Sequence, residues 1–354
     1  MLAHPPLLHV FASKCRHHSL LTASVALCLC CSALAQSWQT QAAGTTASLR
    51  GISAVSARVA WASGTRGTYL ITTDGGATWH AGRVPGAESL DFRAVHALDG
   101  RTAWLMSIGT GPVSRVYKTN DGGATWALQF TNPDAKGFFD CLAFWNPRHG
   151  IVAGDAVDGV LAVFATLDGG VHWQRAAHLP PALPGEGAFA ASNSSLVVTG
   201  KHDAWIGTGA QLPQGARILH LTGSKFTASL TPIRSDRSSA GIFSLAFSDP
   251  RHAIAVGGDY AHPNEANQNI AVTADGGRSW RAPSHGPAGF RSAVAWLPAR
   301  KAWIVTGTSG SDISFDGGET WKTFDTGNYN ALGFAGDEGW AVGPNGRIAR
   351  FKMN

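Results

Sequence analysis

The chain has 354 residues, of which 28 are Lys or Arg and 23 are Asp or Glu, so its formal net charge is +5 at pH 7. This charge is too small to indicate nucleic-acid binding, and no basic run with interleaved aromatic residues appears. Forty-three glycines, thirteen tryptophans and 14% charged residues are typical of a compact all-β protein with short strands and tight turns.

Residues 1–35 are predicted to be a secretory signal peptide. Lys14 and Arg16 belong to a basic region, residues 20–31 form an apolar stretch too short to span a bilayer, and Ala-Leu-Ala at 33–35 is a small-x-small cleavage site. A membrane anchor is the disfavoured alternative, because the apolar stretch is short. We therefore expect cleavage before Gln36 and a secreted protein, periplasmic or extracellular.

Removal of the signal peptide leaves Cys141 as the only one of the five cysteines, so no disulfide can form within the mature chain. Cys141 precedes the run Leu-Ala-Phe-Trp, which is the pattern of an inner strand. We expect it to be a buried, small apolar residue rather than a reactive thiol.

Beyond the signal peptide, one short motif recurs five times. Each copy reads Ser/Thr-x-Asp-Gly-Gly-x-x-Trp, the Asp box, in which glycines supply positive φ angles and the aspartate accepts backbone N–H bonds within a hairpin turn. The tryptophan is predicted to begin an outer strand and to lie over the sheet beside it. The aspartate and tryptophan of the five copies are Asp74 and Trp79, Asp121 and Trp126, Asp168 and Trp173, Asp275 and Trp280, and Asp316 and Trp321.

The spacing of these tryptophans predicts a ring of seven blades. Successive steps are 47, 47, 107 and 41 residues, and the long step holds a degenerate box that ends at Phe226. The segment after residue 330 supplies three strands and no fourth, while Trp38 lies one step before the first box. We therefore predict an all-β, seven-bladed β-propeller over residues 36–354, whose last blade is closed by the amino-terminal strand.

Two near-identical Asn/Asp-Pro-Arg-His turns contain Arg148 with His149 and Arg251 with His252. These side chains could be read as a ligand cluster. However, turns between first and second strands share a face with the Asp boxes, so we interpret them as surface turn residues.

The opposite face carries the candidate site, since ligands of propellers usually meet the loops there or the channel. Asp155, Glu186, Asp259 and Tyr260 come from adjacent blades and are predicted to form one cleft. The alternative is that Gly-Asp pairs cap strand ends and that the long loop is merely solvated. The polar candidates on this face are Asp140, Asp155, Asp158, Glu186, Asp259 and Tyr260, and the basic candidates are Arg66, Arg93, Arg115, Arg217, Arg234, Arg237, Arg291 and Arg347.

With its Asp boxes and closing strand, the chain resembles the photosystem II stability/assembly factor family of seven-bladed propellers, within the BNR/Asp-box group. The segments at 154–159, 185–192 and 257–263 resemble a bacterial secreted branch of that family. The resemblance implies a non-catalytic scaffold that holds a partner membrane protein during assembly, partly through arginines on one face, for which Arg234 and Arg237 are the candidates.

No cofactor or metal is expected. The sequence has no dinucleotide-binding glycine fingerprint between a strand and a helix, no clustered cysteines and no His pair with metal-ligand spacing.

Two classes of function follow. We favour a monomeric, secreted binding scaffold or assembly factor for a protein complex of the cell envelope. The alternative is a glycoside hydrolase, sialidase-like or otherwise carbohydrate-active, which needs two carboxylates about 5 Å apart or roughly 6.5–9.5 Å apart. The available carboxylates are Asp155, Asp158, Glu186 and Asp259, and the nucleophile candidates are Tyr260 and Tyr329. No Arg-Ile-Pro segment precedes the first box, which speaks against sialidase chemistry.

Overall fold

The computed structural model describes residues 36–223 and 225–353, so the predicted signal peptide lies outside the described residues. Within these ranges the chain forms seven antiparallel sheets, and the one helical segment is a 3-10 turn at Gly111–Val113. The first strands of successive blades contact one another around the whole circle. The predicted all-β, seven-bladed β-propeller is therefore confirmed.

Strands are numbered β1 to β27 in chain order, and a blade is one sheet counted from the strand nearest the ring axis. Blades one to three contain β2 (Leu49–Ala54), β3 (Ala60–Gly64), β4 (Thr68–Thr72), β5 (His80–Arg83), β6 (Asp91–Ala97), β7 (Ala103–Ile108), β8 (Arg115–Thr119), β9 (Ala127–Thr131), β10 (Phe139–Phe144), β11 (Gly150–Val157), β12 (Val160–Thr166) and β13 (Gln174–Arg175). Blades four and five contain β14 (Leu196–Thr199), β15 (Asp203–Gly207), β16 (Arg217–Thr222), β17 (Lys225–Leu230), β18 (Ala240–Phe247), β19 (Ala253–Asp259) and β20 (Ile270–Thr273). Blades six and seven contain β21 (Ala293–Leu297), β22 (Ala302–Gly307), β23 (Gly310–Ser314), β24 (Lys322–Asp325), β25 (Ala331–Ala335), β26 (Glu338–Val342), β27 (Ile348–Met353) and β1 (Gln36–Gln41).

The first described strand closes the last blade. β1 pairs antiparallel with β27 along its whole length and places Trp38 opposite Phe351. Trp38 is 8% exposed, packs against Phe351 and Tyr329, and donates its Nε1–H to Ser311 Oγ at 2.9 Å. The predicted closure is confirmed, and it covers the edge of β27 that would otherwise be free to pair with another chain.

A repeated set of hydrogen bonds holds the Asp-box turns. In the first box, Thr72 Oγ1 donates to Asp74 Oδ1 at 2.9 Å and accepts from the N–H of Gly76 at 2.8 Å. Asp74 also accepts from the N–H and the hydroxyl of Thr78, at 2.9 and 2.6 Å. Gly76 has a φ of 81°, in the left-handed region that favours glycine. The arrangement recurs at Asp121, Asp168, Asp275 and Asp316, with the His172 ring replacing the second hydroxyl at Asp168.

The tryptophan of each box lies against the preceding blade, as predicted. Trp126 of blade two packs edge-on against Trp61 of blade one, with ring centroids 6.2 Å apart. Trp79 of blade one packs against Trp340 of blade seven, and both donate their Nε1–H to Gln41 Oε1, at 3.0 and 3.1 Å. Because Gln41 lies on β1, the closing strand also fastens the first blade to the last.

Blades four and five depart from the pattern. Phe226 lies on outer strand β17, which follows β16 after a tight turn at Gly223, so blade four has its four strands without an Asp-box turn. In blade five the fourth strand is reduced to a single bridge between Val272 and Arg281. Pro283 follows two residues later and has no N–H to extend the ladder.

Cys141 is fully buried on β10, and burial raises the pKa of its thiol, so it is held in the unreactive neutral form. In the part of the chain that the structure covers, no helix is long and apolar enough to cross a bilayer.

Candidate functional site on the loop face

The connections of the blades divide between two faces. On one face, an Asp-box N–H donates to the turn between first and second strands, from Gly169 to Arg148 O at 2.7 Å and from Gly276 to Arg251 O at 2.9 Å. Arg148 and Arg251 are exposed there, as predicted for surface turn residues. The opposite face, here called the loop face, contains the loops between second and third strands and the connections between blades.

In four of the blades, a β-bulge on the first strand leaves one residue of that strand unpaired. A bulge leaves one residue unpaired and redirects its side chain, and such irregularities are enriched next to functional sites. All four of these residues line the same cavity on the loop face. Ser292 and Asn330, at the equivalent positions of blades six and seven, line it as well. The four bulge residues are Arg50, Arg93, Asp140 and Phe243.

The connection at residues 188–195, between blades three and four, lies across the ring axis. Ala190 accepts a hydrogen bond from Arg93 of blade two at 2.9 Å, and the hydroxyl of Ser192 donates to the carbonyl oxygen of Ser292 of blade six at 2.6 Å. Blades two and six lie on nearly opposite sides of the ring. The connection therefore blocks the channel, and its residues 188–191 line the cavity above it.

The cavity has a volume of about 510 Å³, within the size range of small-molecule sites. Its wall on blades four to six is aromatic. Phe189 stacks on Phe243 with ring centroids 4.1 Å apart, and Phe290 meets Phe243 edge-on at 4.7 Å. Tyr260 stands at the rim, where it is 53% exposed. This side of the cavity suits an apolar or aromatic group.

The wall on blades one to three is charged. Arg93 Nε donates to Asp91 Oδ2 at 3.1 Å, which holds one of the two arginines in place. Asp155 Oδ1 accepts from the N–H of Ala188 at 3.1 Å, so the connection across the channel also fixes this carboxyl group.

Three polar atoms of the cavity residues are buried without a hydrogen-bond partner among the described residues: Arg50 Nε, Asp140 Oδ2 and Thr308 Oγ1. Asp140 as a whole is 2% exposed. Buried polar groups without partners are rare in folded proteins and destabilise them. Three of the ten such atoms among the described residues thus belong to residues of this one cavity, where a ligand would supply their partners.

Burial and proximity shift the pKa values of these groups. Desolvation, followed by the nearby charge of Asp155, raises the pKa of Asp140 well above its usual range, against the opposing effect of Arg93. Desolvation raises the pKa of Asp155 too. Desolvation and repulsion by Arg93 lower the pKa of Arg50 to about 10. The cavity thus places two carboxyl groups that favour protonation beside two guanidinium groups.

Of the predicted site residues, Asp140, Asp155 and Tyr260 line the cavity, as does Arg93 from the basic candidates. Glu186 does not line it. The side chain of Glu186 is fully buried, and Oε1 accepts from Arg217 Nε at 2.9 Å and from Thr208 Oγ1 at 2.7 Å. Glu186 and Asp155 meet only in a second, more open depression beside the cavity.

Asp259 is likewise buried in an ion pair. Its Oδ2 accepts from Arg237 at 2.7 Å and lies 2.8 Å from His262 Nδ1. The four side chains of the predicted cleft are therefore not gathered in this cavity, because two of the carboxylates are buried with arginine partners that neutralise them.

The other predicted binding residues lie outside the cavity. Asp158 is exposed at the tip of the β11–β12 hairpin, where its φ of 51° and that of Gly159, 80°, make a two-residue turn. Arg234 pairs with Asp236 and Glu265 and is 13% exposed, whereas Arg237 is 39% exposed. Arg237 is therefore the more accessible of the two predicted arginines.

Arg50, Phe243 and Phe290 were not predicted as site residues, although the sequence contained a signal for the first two. The first strands begin with an apolar residue, a variable residue, a small residue and an apolar residue, as in Leu-Arg-Gly-Ile and Ile-Phe-Ser-Leu. The variable position of this pattern is the bulge residue. No such pattern marks Phe189, which lies in an irregular connection.

No three His, Cys, Asp or Glu residues in ranges 36–223 and 225–353 are grouped so that they could hold a metal ion.

Comparison with known proteins identifies the repeat and the fold. The BNR/Asp-box repeat matches residues 70–81 and 312–323, which contain the first and last boxes. A search of curated proteins found no match. Among solved structures, YCF48 bound to a D1 peptide is 18% identical with a TM-score of 0.61, and the match covers 90% of this chain and 97% of that one. YCF48 from Cyanidioschyzon merolae is 19% identical with a TM-score of 0.59, covering 89% and 98%. U3-55K is 12% identical with a TM-score of 0.61, covering 88% and 98%.

At these identities the similarity to solved structures shows the fold, and the two repeat matches show the Asp boxes. The chain is a seven-bladed β-propeller with BNR/Asp-box repeats, similar in fold to the photosystem II assembly factor YCF48, as the sequence resemblance predicted.

Proposed function

We propose that the protein is a non-catalytic binding scaffold, or assembly factor, that holds a segment of another protein against its loop face. The observation that carries this proposal is the cavity itself. Blades one, two, three, five, six and seven each contribute a residue from the same position, near or just before the start of the first strand, and the cavity combines polar atoms without partners with an aromatic wall. Convergent polar groups in a largely apolar concavity are typical of binding sites.

The solved structures support a protein segment as the partner. YCF48 has been solved with a D1 peptide bound, and this chain matches that structure over 90% of its length. A rigid ring with loops on one face is suited to the same kind of contact here. We propose a partner in the cell envelope, because the predicted signal peptide would send the protein across the membrane.

The blocked channel limits how a partner can approach. Since residues 188–195 lie across the ring axis, a segment can enter the cavity only from the loop face. Tyr260 at the rim is the most exposed of the cavity's aromatic side chains and Arg237 lies nearby, paired with Asp259. These two side chains are the first that an approaching segment would meet.

The test compares two equally exposed aromatic residues on opposite faces. Tyr260 and Phe315 are both 53% exposed, but Phe315 lies in the last Asp box, on the other face. The protein and its Tyr260→Ala and Phe315→Ala variants are used for affinity purification from envelope extracts, followed by mass spectrometry. We expect one partner to be recovered with the wild type and with Phe315→Ala and to be lost with Tyr260→Ala. Equal recovery with both variants would contradict a loop-face site.

One observation favours the glycoside hydrolase alternative. Asp140 and Asp155 share the cavity, and both have a raised pKa, which is the property of a general acid in glycoside hydrolysis. A screen of aryl glycosides and polysaccharides decides between the two functions. If the protein turns over one of these substrates, and Asp155→Asn abolishes the turnover while the variant remains folded, then the protein is an enzyme and the scaffold proposal is wrong.

A further inference from the structure

The cavity contains unpartnered atoms of opposite charge. Arg50 Nε is a buried donor and Asp140 Oδ2 a buried acceptor, and neither has a hydrogen-bond partner among the described residues. The two residues occupy the bulge positions of blades one and three, with Arg93 of blade two between them. A ligand with one kind of charge would satisfy only one of these atoms.

The charges of the cavity nearly balance. Asp91 binds Arg93 and also attracts Arg50, Arg93 attracts Asp140, and Arg50 lines the same cavity as Asp140 and Asp155. Burial raises the pKa of both Asp140 and Asp155, and the charge of Asp155 adds to the rise at Asp140, so both carboxyl groups favour the protonated form. A cation placed beside these carboxyl groups would favour release of their protons, and an anion beside Arg50 would relieve its repulsion by Arg93.

The aromatic wall of the cavity is suited to an apolar part of the ligand. Phe189 and Phe243 stack at 4.1 Å, and Phe290 closes the side of Phe243 at 4.7 Å. These rings stand on blades four to six, across the cavity from the arginines of blades one and two. An aromatic or branched side chain would pack here while its charged end reached the other wall.

We propose that the cavity binds a free amino acid with an aromatic or bulky apolar side chain. Its carboxylate pairs with the Arg50 guanidinium, its ammonium group pairs with the carboxyl groups of Asp140 and Asp155, and its side chain packs on Phe189 and Phe243. The volume of about 510 Å³ accommodates a molecule of this size. This binding goes beyond the proposed scaffold role and does not require a protein partner.

Isothermal titration calorimetry of the purified protein with L-phenylalanine tests the proposal. Three related compounds each remove one feature: the amide of phenylalanine lacks the carboxylate, N-acetyl-L-phenylalanine lacks the ammonium group, and glycine lacks the side chain. We expect L-phenylalanine to bind and each of the three to bind at least about tenfold more weakly, because a buried charged group then loses its partner or the aromatic wall is left empty.

Variants assign the two ends of the ligand. Asp140→Asn should remove the preference for L-phenylalanine over its N-acetyl derivative. Arg50→Gln should remove the preference for L-phenylalanine over its amide. Asp249→Asn, on the Asp-box face, serves as the control and should leave both preferences unchanged. These ratios of affinities do not depend on a variant's overall stability, which is followed separately by circular dichroism.

Two results would overturn the proposal. One is equal binding of L-phenylalanine, the amide and the N-acetyl derivative. The other is the absence of both binding heat and a rise in Tm when the folded protein is given L-phenylalanine or L-leucine at about 10 mM. If either of these two results is obtained and an envelope partner is still recovered, the proposed scaffold role is supported and only the amino-acid site is refuted.

Discussion

Trp38 and Phe351 face each other across the ladder that joins the first described strand to the last, with ring centroids 5.4 Å apart and planes at 63°. The same indole reaches Ser311 of blade six through its Nε1–H. One side chain near the amino terminus therefore joins blade seven to its neighbour and completes the ring.

Trp38→Ala should destabilise the protein by about 3–5 kcal/mol, the usual loss when a buried tryptophan is truncated. Gln39→Ala, an exposed position on the same strand, is the matched control and should change the stability by less than about 0.5 kcal/mol. Urea unfolding, monitored by tryptophan fluorescence, measures the free energy of unfolding of both variants. Similar losses in the two variants would show that Trp38 does not hold the ring closed.

The Asp boxes should make stability fall in acid. Hydrogen bonds from the hydroxyl and N–H of Thr78 lower the pKa of Asp74 from 3.8 to about 2, and Asp121 shows the same shift for the same reason. A carboxylate whose pKa is lower in the folded state stabilises that state above its unfolded pKa, and loses this contribution as pH falls from about 4 to about 2. Thermal unfolding of the wild type and Asp74→Asn at pH 7, 4 and 2 tests this. The gap in Tm between them should be largest at pH 7 and nearly vanish at pH 2, and a gap that does not change with pH would contradict it.

Glu186 is expected to be a structural residue. Its side chain is fully buried against Arg217, whereas Glu338 makes a similar pair with Arg350 at 2.6 Å but is 45% exposed. Glu186→Gln should lower the free energy of unfolding by about 3–5 kcal/mol, because it leaves a buried guanidinium without its charged partner. Glu338→Gln should lower the free energy of unfolding by less than about 1 kcal/mol, because solvent screens an exposed ion pair.

Chemical denaturation compares these two variants directly. Normal stability of Glu186→Gln, accompanied by loss of ligand binding or of turnover, would instead place Glu186 in the functional site.

The predicted signal peptide gives a direct expectation about the mature protein. Mass spectrometry of the protein expressed with its full sequence in a bacterial host should find an amino terminus at Gln36 in the periplasmic or secreted fraction. An intact amino terminus at Met1 in the cytoplasmic fraction would remove the basis for an envelope partner.

The ring could be predicted from the sequence because its signals are local and repeated. Each Asp box needs glycine, aspartate and tryptophan at fixed offsets, so the period can be counted even where Phe226 replaces the motif. Trp38 lies one repeat before Trp79, and the carboxyl-terminal segment supplies only three strands of the final blade, so the sequence predicts that Trp38 belongs to that blade.

The cavity was harder to predict, because its residues are far apart in the chain. Arg50 and Phe243 reach it through bulges, and a bulge reverses the alternation that tells which face a strand residue points to. The sequence indicates only that Glu186 and Asp259 are acids on the loop face. Their arginine partners, Arg217 and Arg237, lie 31 and 22 residues away, and only the folded chain brings them together.

The most direct test of the central claim, that a partner binds the loop face at the cavity, is site-specific photo-crosslinking. A benzophenone amino acid replaces Tyr260 in one protein and Phe315 in another, and each is irradiated in envelope extracts. Crosslinks to one partner protein from position 260, with none from position 315, are predicted. Crosslinks from position 315 alone, or from both positions equally, would contradict the account.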